Sequence, residues 1–579
     1  MMPEYFSGKQ LKNMNMSQLD ALCEDLRQKI LSTVLKNGGH LASNLGAVEL
    51  TVALHYVFNL PDDKIIFDVG HQCYSHKLLS GRGDSFNTLR KKGGISGFPK
   101  REESPYDCYN TGHAGTSVSA ALGIAKARDI ENKDFNVIAV IGDGSFNNGL
   151  VYEAFNSLRL LKTNILVVLN DNGMSISPTV GSMHEYLELL SENSEHISKK
   201  AKHAGIFERF GFKYDGVYDG NNLPQLINKL TEIKERLKKE SVILHIITKK
   251  GKGYEFCEEN PEATHGISIS SSDYISTEYS TVLGETLCSL AEKDSKIVAV
   301  CAAMSSNLGL ADFFEKYPER AVDVGICEEH ATILCASIAT EGLKPYYAVY
   351  STFLQRSYDE IVIDICSQNL PVTLCIDRAG VSGADGETHQ GVFDLSFLSM
   401  IPNLSIAVPK DVNEFRSMLE FSATFDKPLA IRYPREGTHS FKLQSEIILG
   451  KWEMLSENEN ASASILACGE RAVTAALEAS QLLEKENIKV NVINSRFVKP
   501  LDTKMLKALT QNLIITVEDN VLSGGFGSLI NTHFSSDNKK IKNFAFPDKF
   551  IPHGSVTELM KEFGITGEAI AGYILNAIR

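Results

Sequence analysis

Short runs of apolar and β-branched residues recur along this 579-residue chain. Most close on Gly, Asp or Asn and lead into a helical pattern. Clear runs are Ile65–Val69, Val137–Ile141, Ile165–Leu169 and Val242–Thr248. Others are Ile297–Cys301, Val372–Ile376, Ile465–Ala467, Val490–Ile493 and Leu513–Val517. Uninterrupted apolar strands between helices predict an α/β fold, with mostly parallel sheets covered on both faces. In such sheets ligands sit beyond the carboxyl ends of the strands, so the residues after each run are candidates for chemistry. The length predicts about three or four domains. Breaks in the pattern divide the chain into three blocks, 1–273, 274–441 and 442–579. A polar stretch, Ser268–Asp273, marks the first break, and the second follows Arg432-Tyr433-Pro434-Arg435. The polar segment Glu185–Lys202 is expected to run over the surface.

The run Val137–Ile141 leads into Gly142-Asp143-Gly144-Ser145, and Ile165–Leu169 leads into Asn170-Asp171-Asn172-Gly173-Met174. A strand that ends in GDG is by itself only a turn. A second strand ending in NDN at this distance changes that reading. A diphosphate needs a hard cation, and Mg²⁺ prefers six oxygen ligands. Asp143 can give a carboxylate oxygen, Asn172 an amide oxygen and Met174 its carbonyl. Gly142 and Gly144 allow close approach of backbone to phosphate. The pairing resembles the thiamine-diphosphate superfamily. The small-residue loop Thr111–Ser117, before a helical stretch Val118–Arg128, is a second expected anion cradle, since free N–H groups at a helix start attract phosphate.

Thiamine chemistry needs a carboxylic acid against N1′ of the aminopyrimidine ring, and an apolar pocket raises the pKa of such a group. Glu328, in Val324-Gly325-Ile326-Cys327-Glu328-Glu329-His330, matches the superfamily pattern. Glu329 reads as a helix-start carboxylate that suits the helix dipole.

The match narrows with Gly39–Gly46, Asp68–Gln72, Tyr350–Arg356, Asp377–Gly380, Gly383–Gly391 and Arg432–Arg435, in that order along the chain. These segments resemble the 1-deoxy-D-xylulose-5-phosphate synthase family. The resemblance implies three transketolase-like domains: a diphosphate/Mg²⁺ domain, a pyrimidine-binding domain and a carboxyl-terminal domain. It implies decarboxylative joining of pyruvate to D-glyceraldehyde 3-phosphate with thiamine diphosphate and Mg²⁺, at an entry step of non-mevalonate isoprenoid synthesis. The product also feeds thiamine and pyridoxal synthesis.

By that resemblance His40, His71, His265 and His389 handle protons, and Asp385 orients His389. The expected cofactor contacts are His71, Gly112, His113, Ala114, Gly144, Ser145, Asn172, Tyr254 and Glu328, with Phe353 stacked on the pyrimidine ring. A phosphate dianion suits planar guanidinium forks, so Arg378 and Arg432 are expected to hold it, with Tyr350 as hydroxyl donor and Arg356 assisting.

Two features depart from the family pattern: the segment after Ser182 is short, and Gly173 stands where an acidic residue is common. The Gly-rich Ser523–Gly527 reads as a tight structural turn, because a lone Gly-rich loop is weak evidence for phosphate. Two other readings stay open. One is another thiamine enzyme, either a transketolase or a keto-acid dehydrogenase component. The other is a silent cofactor binder, which would be expected to lack Glu328 or the histidines.

The bulk numbers constrain the partners. With 58 Lys+Arg against 72 Asp+Glu, the formal charge of −14 argues against nucleic acid or an anionic membrane as partner. The 11 cysteines form no CxxC pair, which fits a reducing cytosol. No run of about 18 apolar residues predicts a membrane span, and the first ten residues are too polar for a secretory signal. A homodimer is expected from the family.

Overall fold

The structure is a computed structural model. It describes residues 8–175, 179–192, 205–267, 277–437, 440–441 and 445–579. The expected block boundaries near 273 and 441, and most of the Glu185–Lys202 segment, therefore lie outside the described residues. The chain forms two compact units. The first is Met1–Ser271 with Gly325–Cys327, and the second is Ser272–Val324 with Glu328–Arg579.

In the first unit five parallel strands lie in the order Lys64–Phe67, Val137–Gly142, Leu166–Asp171, Ser241–Ile247, Phe212–Asp219. Successive side chains of a strand point to opposite faces, and the core divides accordingly. Ile138, Val140, Leu166, Val168, Val242 and Leu244 pack with helices Met16–Asn37, Val48–Val57 and Leu223–Arg236. Val137, Ala139, Ile141, Val167, Leu169 and Ile243 pack on the other face with Ser117–Ile130 and Gly149–Leu161. Strands buried on both faces must be apolar throughout. Gly142 pairs with Asn170, so the two turns expected to bind metal leave the sheet at one level.

The second unit holds a seven-stranded and a five-stranded sheet. One has seven strands in the order Phe497–Lys499, Ser405–Ala407, Leu429–Arg432, Thr373–Asp377, Lys344–Tyr350, Ile297–Cys301, Ala321–Asp323. Only Phe497–Lys499 runs antiparallel; it comes from the third block and extends a sheet otherwise built by the second. The other sheet has the order Glu453–Ser456, Val490–Asn494, Ala463–Cys468, Leu513–Val521, Lys540–Phe546. Helices Glu470–Lys485 and Gly567–Ile578 bury their apolar sides against it. Among the described residues no helix is long and apolar enough to cross a membrane.

Candidate active site

Asp143 begins the short helix Asp143–Phe146 and is 1 % exposed. Burial, and then the charge of Asp171, push its carboxyl up to about 7. Thr179 Oγ1 donates to Asp143 Oδ2 at 2.6 Å, and the amide of Asn172 approaches Oδ1 at 3.4 Å. Asn172 Oδ1 is buried and accepts no hydrogen bond from the described residues. A costly buried carboxylate beside an unsatisfied amide oxygen fits a hard cation that takes both. Asp171 is used differently. It accepts from the Gly173 amide at 3.0 Å and pairs with His245 Nε2 at 3.1 Å, while Tyr214 Oη lies 2.7 Å from His245 Nδ1. Burial would raise its pKa, but His245 outweighs that and holds it below its ordinary value. Asp171 thus braces the turn and leaves Asp143 for a ligand. Gly173 takes φ +69°, which turns the chain toward Met174. A Cβ on Gly144 would stand 2.7 Å from Ser175 Cβ, so this backbone approach needs glycine. Ser145, next to it, is buried. Among the described residues no group of three or more His, Cys, Asp or Glu side chains could hold a metal. A cation here therefore needs carbonyl and ligand oxygens as well.

The loop before helix Ser117–Ile130 corrects one expectation. Its N–H groups are not all free for phosphate: Gly115 donates to Asp68 Oδ1 at 2.8 Å and Ser117 to Oδ2 at 3.0 Å. Asp68, from the Asp68–Gln72 motif, caps that helix. Gly112 and Ala114 are buried and His113 is half-buried earlier in the loop.

Three of the expected histidines meet. Ring centroids lie 5.7 Å apart for His40 and His71, 5.5 Å for His40 and His265, and 5.4 Å for His71 and His265. Phe98 stands 5.7 Å from His40. Gly39 and Ile267 exchange backbone hydrogen bonds at 2.9 and 2.8 Å, which brings His40 and His265 together. Asn44 is a contributor the sequence reading missed. Its Nδ2 donates to the carbonyls of His40 at 2.7 Å and His71 at 2.6 Å, and its Oδ1 accepts from the Tyr74 amide at 2.8 Å. Tyr254 is half-buried and packs beside Phe256, their centroids 6.3 Å apart.

A buried chain of polar groups links Arg82, Asp107, His76 and His55. Arg82 donates to both oxygens of Asp107 at 2.5 and 2.8 Å. His76 Nε2 lies 3.0 Å from Asp107 Oδ1, and His55 Nε2 lies 2.8 Å from His76 Nδ1. Burial lowers the pKa of both rings, so each is neutral and passes one N–H along the chain. Burial alone would raise Asp107, but Arg82 and His76 outweigh it and hold the carboxyl far below its ordinary range. A carboxylate with a depressed pKa adds stability above about pH 4, and that stability is lost as pH falls. Asp107→Asn is therefore expected to cost about 3–5 kcal/mol at pH 7, the effect of stranding a buried charge. It should also flatten the acid limb of the stability curve. Urea unfolding at several pH values checks both.

In the second unit Glu328 opens helix Glu328–Thr340 and is 3 % exposed. Burial raises its pKa, and Arg356 partly opposes that. Arg356 Nη1 stands 3.6 Å from Glu328 Oε2, which accepts no hydrogen bond from the described residues. Arg356, expected at the substrate, thus lies beside the acid. Tyr350 ends strand Lys344–Tyr350, and Arg378 follows strand Thr373–Asp377 at φ +54°. The Arg378 guanidinium lies over the Tyr350 ring, 4.0 Å from its centroid. Tyr350 stacks on Phe353 at 5.7 Å, and Phe353 meets His389 edge-on at 5.6 Å. Thr388 Oγ1 lies 2.9 Å from His389 Nδ1, an orienting contact. Burial would lower the pKa of Arg378, but the charges of Tyr350, Asp377 and Asp385 together raise it.

The family model described as 1-deoxy-D-xylulose-5-phosphate synthase matches residues 3–205 and 188–248. The models for the transketolase pyrimidine binding domain and the transketolase C-terminal domain match 276–439 and 450–570. A 1-deoxy-D-xylulose-5-phosphate synthase of Clostridium tetani is 44% identical over 610 residues, covering 98% of each chain. One of Caldanaerobacter subterraneus is 45% identical, covering 100% of this chain and 99% of the other. The chain belongs to the 1-deoxy-D-xylulose-5-phosphate synthase family. Among solved structures, a transketolase from Campylobacter jejuni is similar at 18% identity and TM-score 0.46, covering 97% of this chain and 100% of its own.

For a 1-deoxy-D-xylulose-5-phosphate synthase family member, one expected phosphate ligand lies unexpectedly deep. Arg432 is 4 % exposed. Its Nε donates to both oxygens of Asp394 at 2.8 and 2.9 Å, and Nη2 donates to the Asp519 carbonyl at 2.6 Å. These bonds place Arg432 in the protein's own ion-pair network. Arg435, three residues on, is more open: it pairs with Glu278 at 3.3 Å and is 36 % exposed. Burial raises the pKa values of Tyr350 and Asp377, and the charge of Arg378 and then that of Arg435 partly oppose it. Arg435 therefore shares the neighbourhood of Arg378, and only its place in the motif could have signalled it. In the third block the Gly-rich turn is structural. Glu518 accepts from the amides of Phe526 and Gly527, both at 2.7 Å, and so caps helix Phe526–His533.

Proposed function

We propose that this chain joins pyruvate to D-glyceraldehyde 3-phosphate, releasing CO2 and forming 1-deoxy-D-xylulose 5-phosphate. Membership of the family over nearly the full length carries the reading. The reaction feeds isoprenoid, thiamine and pyridoxal synthesis. Thiamine diphosphate with Mg²⁺ supplies the electron sink for decarboxylation.

The chain's own residues do the rest. Asp143 Oδ, Asn172 Oδ1 and the Met174 carbonyl would hold Mg²⁺, a role that the raised Asp143 pKa and the unsatisfied Asn172 oxygen support for the first two. Gly112, His113, Ala114, Gly144 and Ser145 would hold the diphosphate, Tyr254 would contact the cofactor, and Phe353 would stack on its pyrimidine ring. Glu328 holds a proton at N1′ of the aminopyrimidine, supported by its burial. Arg356 sits where it can tune that acid and meet the pyruvate carboxylate. His40, His71 and His265 move protons around the reacting carbons, supported by their meeting in one cluster. His389, oriented by Thr388, serves the same chemistry. Arg378 and Arg435 bind the aldehyde's phosphate with Tyr350, and Asp385 sets the charge beside Arg378. Arg432 supports this site from beneath.

Three domains, 1–273, 274–441 and 442–579, are part of the proposal. Three main sheets and three separate family matches support the division. A homodimer is proposed on family resemblance, and a cytosolic location on cysteines that are all free.

Asn172→Ala is expected to weaken Mg²⁺-dependent cofactor binding by more than about 10- to 100-fold, the loss typical of outer-shell partners alone. Calorimetric titration of thiamine diphosphate at graded Mg²⁺ concentrations measures this without turnover. The function itself is tested by CO2 release from labelled pyruvate with and without the aldehyde. Release that depends on the aldehyde, with a matching five-carbon product, supports the synthase reading. Release indifferent to it points to a decarboxylase or dehydrogenase component, and no release points to a transketolase or a silent binder.

A further inference from the structure

The segment from Arg378 to Gly391 carries Arg378 and Asp385 of the proposed aldehyde-phosphate site and His389 of the proposed proton-moving set. Its ends are tied by two backbone hydrogen bonds between Gly380 and Gly391, each 2.7 Å. A side chain from the third block holds it from outside. Asp519, 5 % exposed near the end of strand Leu513–Val521, accepts from the Val381 amide through Oδ1 at 3.1 Å. Its Oδ2 accepts from Arg471 Nη1, which also donates to the Val381 carbonyl at 3.0 Å. A Cβ on Gly380, at φ +76°, would stand 1.9 Å from Asp519 Oδ2, so the carboxylate lies directly on the segment's backbone. The Asp519 carbonyl accepts from Arg432 Nη2 at 2.6 Å. Further along, Gln390 Nε2 donates to the carbonyl of Pro552 at 3.0 Å.

We propose that Asp519 and Arg471 are positioning residues of the aldehyde-phosphate site, through which the carboxyl-terminal block sets the Arg378–Gly391 segment. The inference rests on the function proposed above. Arg378 sits at φ +54°, a conformation that persists only where surrounding structure fixes it. Asp519 and Arg471 supply that constraint two and three residues downstream. Each charge is paired, so the buried pair is not left uncompensated. Neither is among the residues proposed above to bind substrate. Their loss should therefore misplace the phosphate clamp more than the cofactor chemistry, which depends on Glu328.

The test compares Asp519→Asn, Arg471→Gln and Arg471→Lys in the full-length, cofactor-loaded enzyme. The readout is the ratio of kcat/KM for D-glyceraldehyde 3-phosphate to that for unphosphorylated D-glyceraldehyde. Small misplacements of a binding group can cost up to 10²-fold, so the ratio should fall by about 10- to 100-fold in Arg471→Gln. It should recover largely in Arg471→Lys, and deuterium exchange at cofactor C2 should stay unchanged. Equal losses for both aldehydes, or an unchanged ratio in folded Arg471→Gln, would overturn the proposal. Arg471 is partly exposed, with 20% of its side chain accessible, so this variant decides the question even if Asp519→Asn does not fold. Wild-type enzyme that ignored both aldehydes would sink the proposed activity, and this inference with it, before any variant was compared.

Discussion

Glu328→Gln is expected to lower turnover by on the order of 10² to 10⁴, the usual weight of a placed acid–base group, while thiamine diphosphate still binds. The amide keeps the size and can still donate a hydrogen bond to N1′, but it cannot exchange a proton there. Burial raises the Glu328 pKa against the pull of Arg356, so its neutral form persists to higher pH than in a free glutamate. The same shift has a stability sign. A carboxyl whose folded pKa is raised favours the fold below its unfolded value, and that contribution is lost as pH rises through the folded value. Removing the ionisable group should therefore leave the variant at least as stable as the wild type, with the largest gain on the alkaline side. Two measurements decide the point: deuterium exchange at cofactor C2 and thermal unfolding from pH 6 to 9. Exchange at the wild-type rate in Glu328→Gln would remove Glu328 from the proton path. A variant that loses both exchange and cofactor binding would show only a structural role.

The strands legible in the sequence were those buried on both faces, because burial forces an unbroken apolar run. Val137–Gly142 and Leu166–Asp171 are of this kind. The strands it missed lie largely at sheet edges. Phe212–Asp219 and Lys540–Phe546 each border a sheet and carry charged or polar residues where a central strand would be apolar, a common protection for an edge. The meeting of Asp143 and Asn172 has a physical reason: two adjacent strands end at one register, so residues 29 positions apart in sequence come together. Residues that act through backbone groups were less visible. Asn44, Asp68 and Glu518 bond to main-chain carbonyls and amides, and no spacing rule marks an acceptor whose partner lies 49 residues away. Motif membership also located Arg432–Arg435 without saying which arginine faces outward. Position along a strand decides that: Arg432 is the last residue of Leu429–Arg432 and still lies in the covered layer, whereas Arg435 lies beyond it.

That difference gives opposite expectations for two arginines in one motif. Arg432→Met removes the partner of Asp394 and strands a fully buried carboxylate, which should destabilise the fold by about 3–5 kcal/mol. Burial already raises the pKa of Asp394, and Arg432 opposes that. Without the guanidinium the carboxyl should take up a proton, so the loss should shrink as pH falls. Arg435→Met touches a half-exposed pair with Glu278, and exposed pairs contribute only about 0–1 kcal/mol. Its fold should therefore survive. Its cost should appear as a raised KM for D-glyceraldehyde 3-phosphate, about 10- to 100-fold for one charge-assisted contact of some 1.5–3 kcal/mol. The KM for pyruvate should stay near the wild-type value. Urea unfolding and aldehyde kinetics on the two variants separate the roles. A stable Arg432→Met with a selectively raised aldehyde KM would return the phosphate to Arg432, and an unchanged aldehyde KM in Arg435→Met would leave Arg378 and Tyr350 as the clamp.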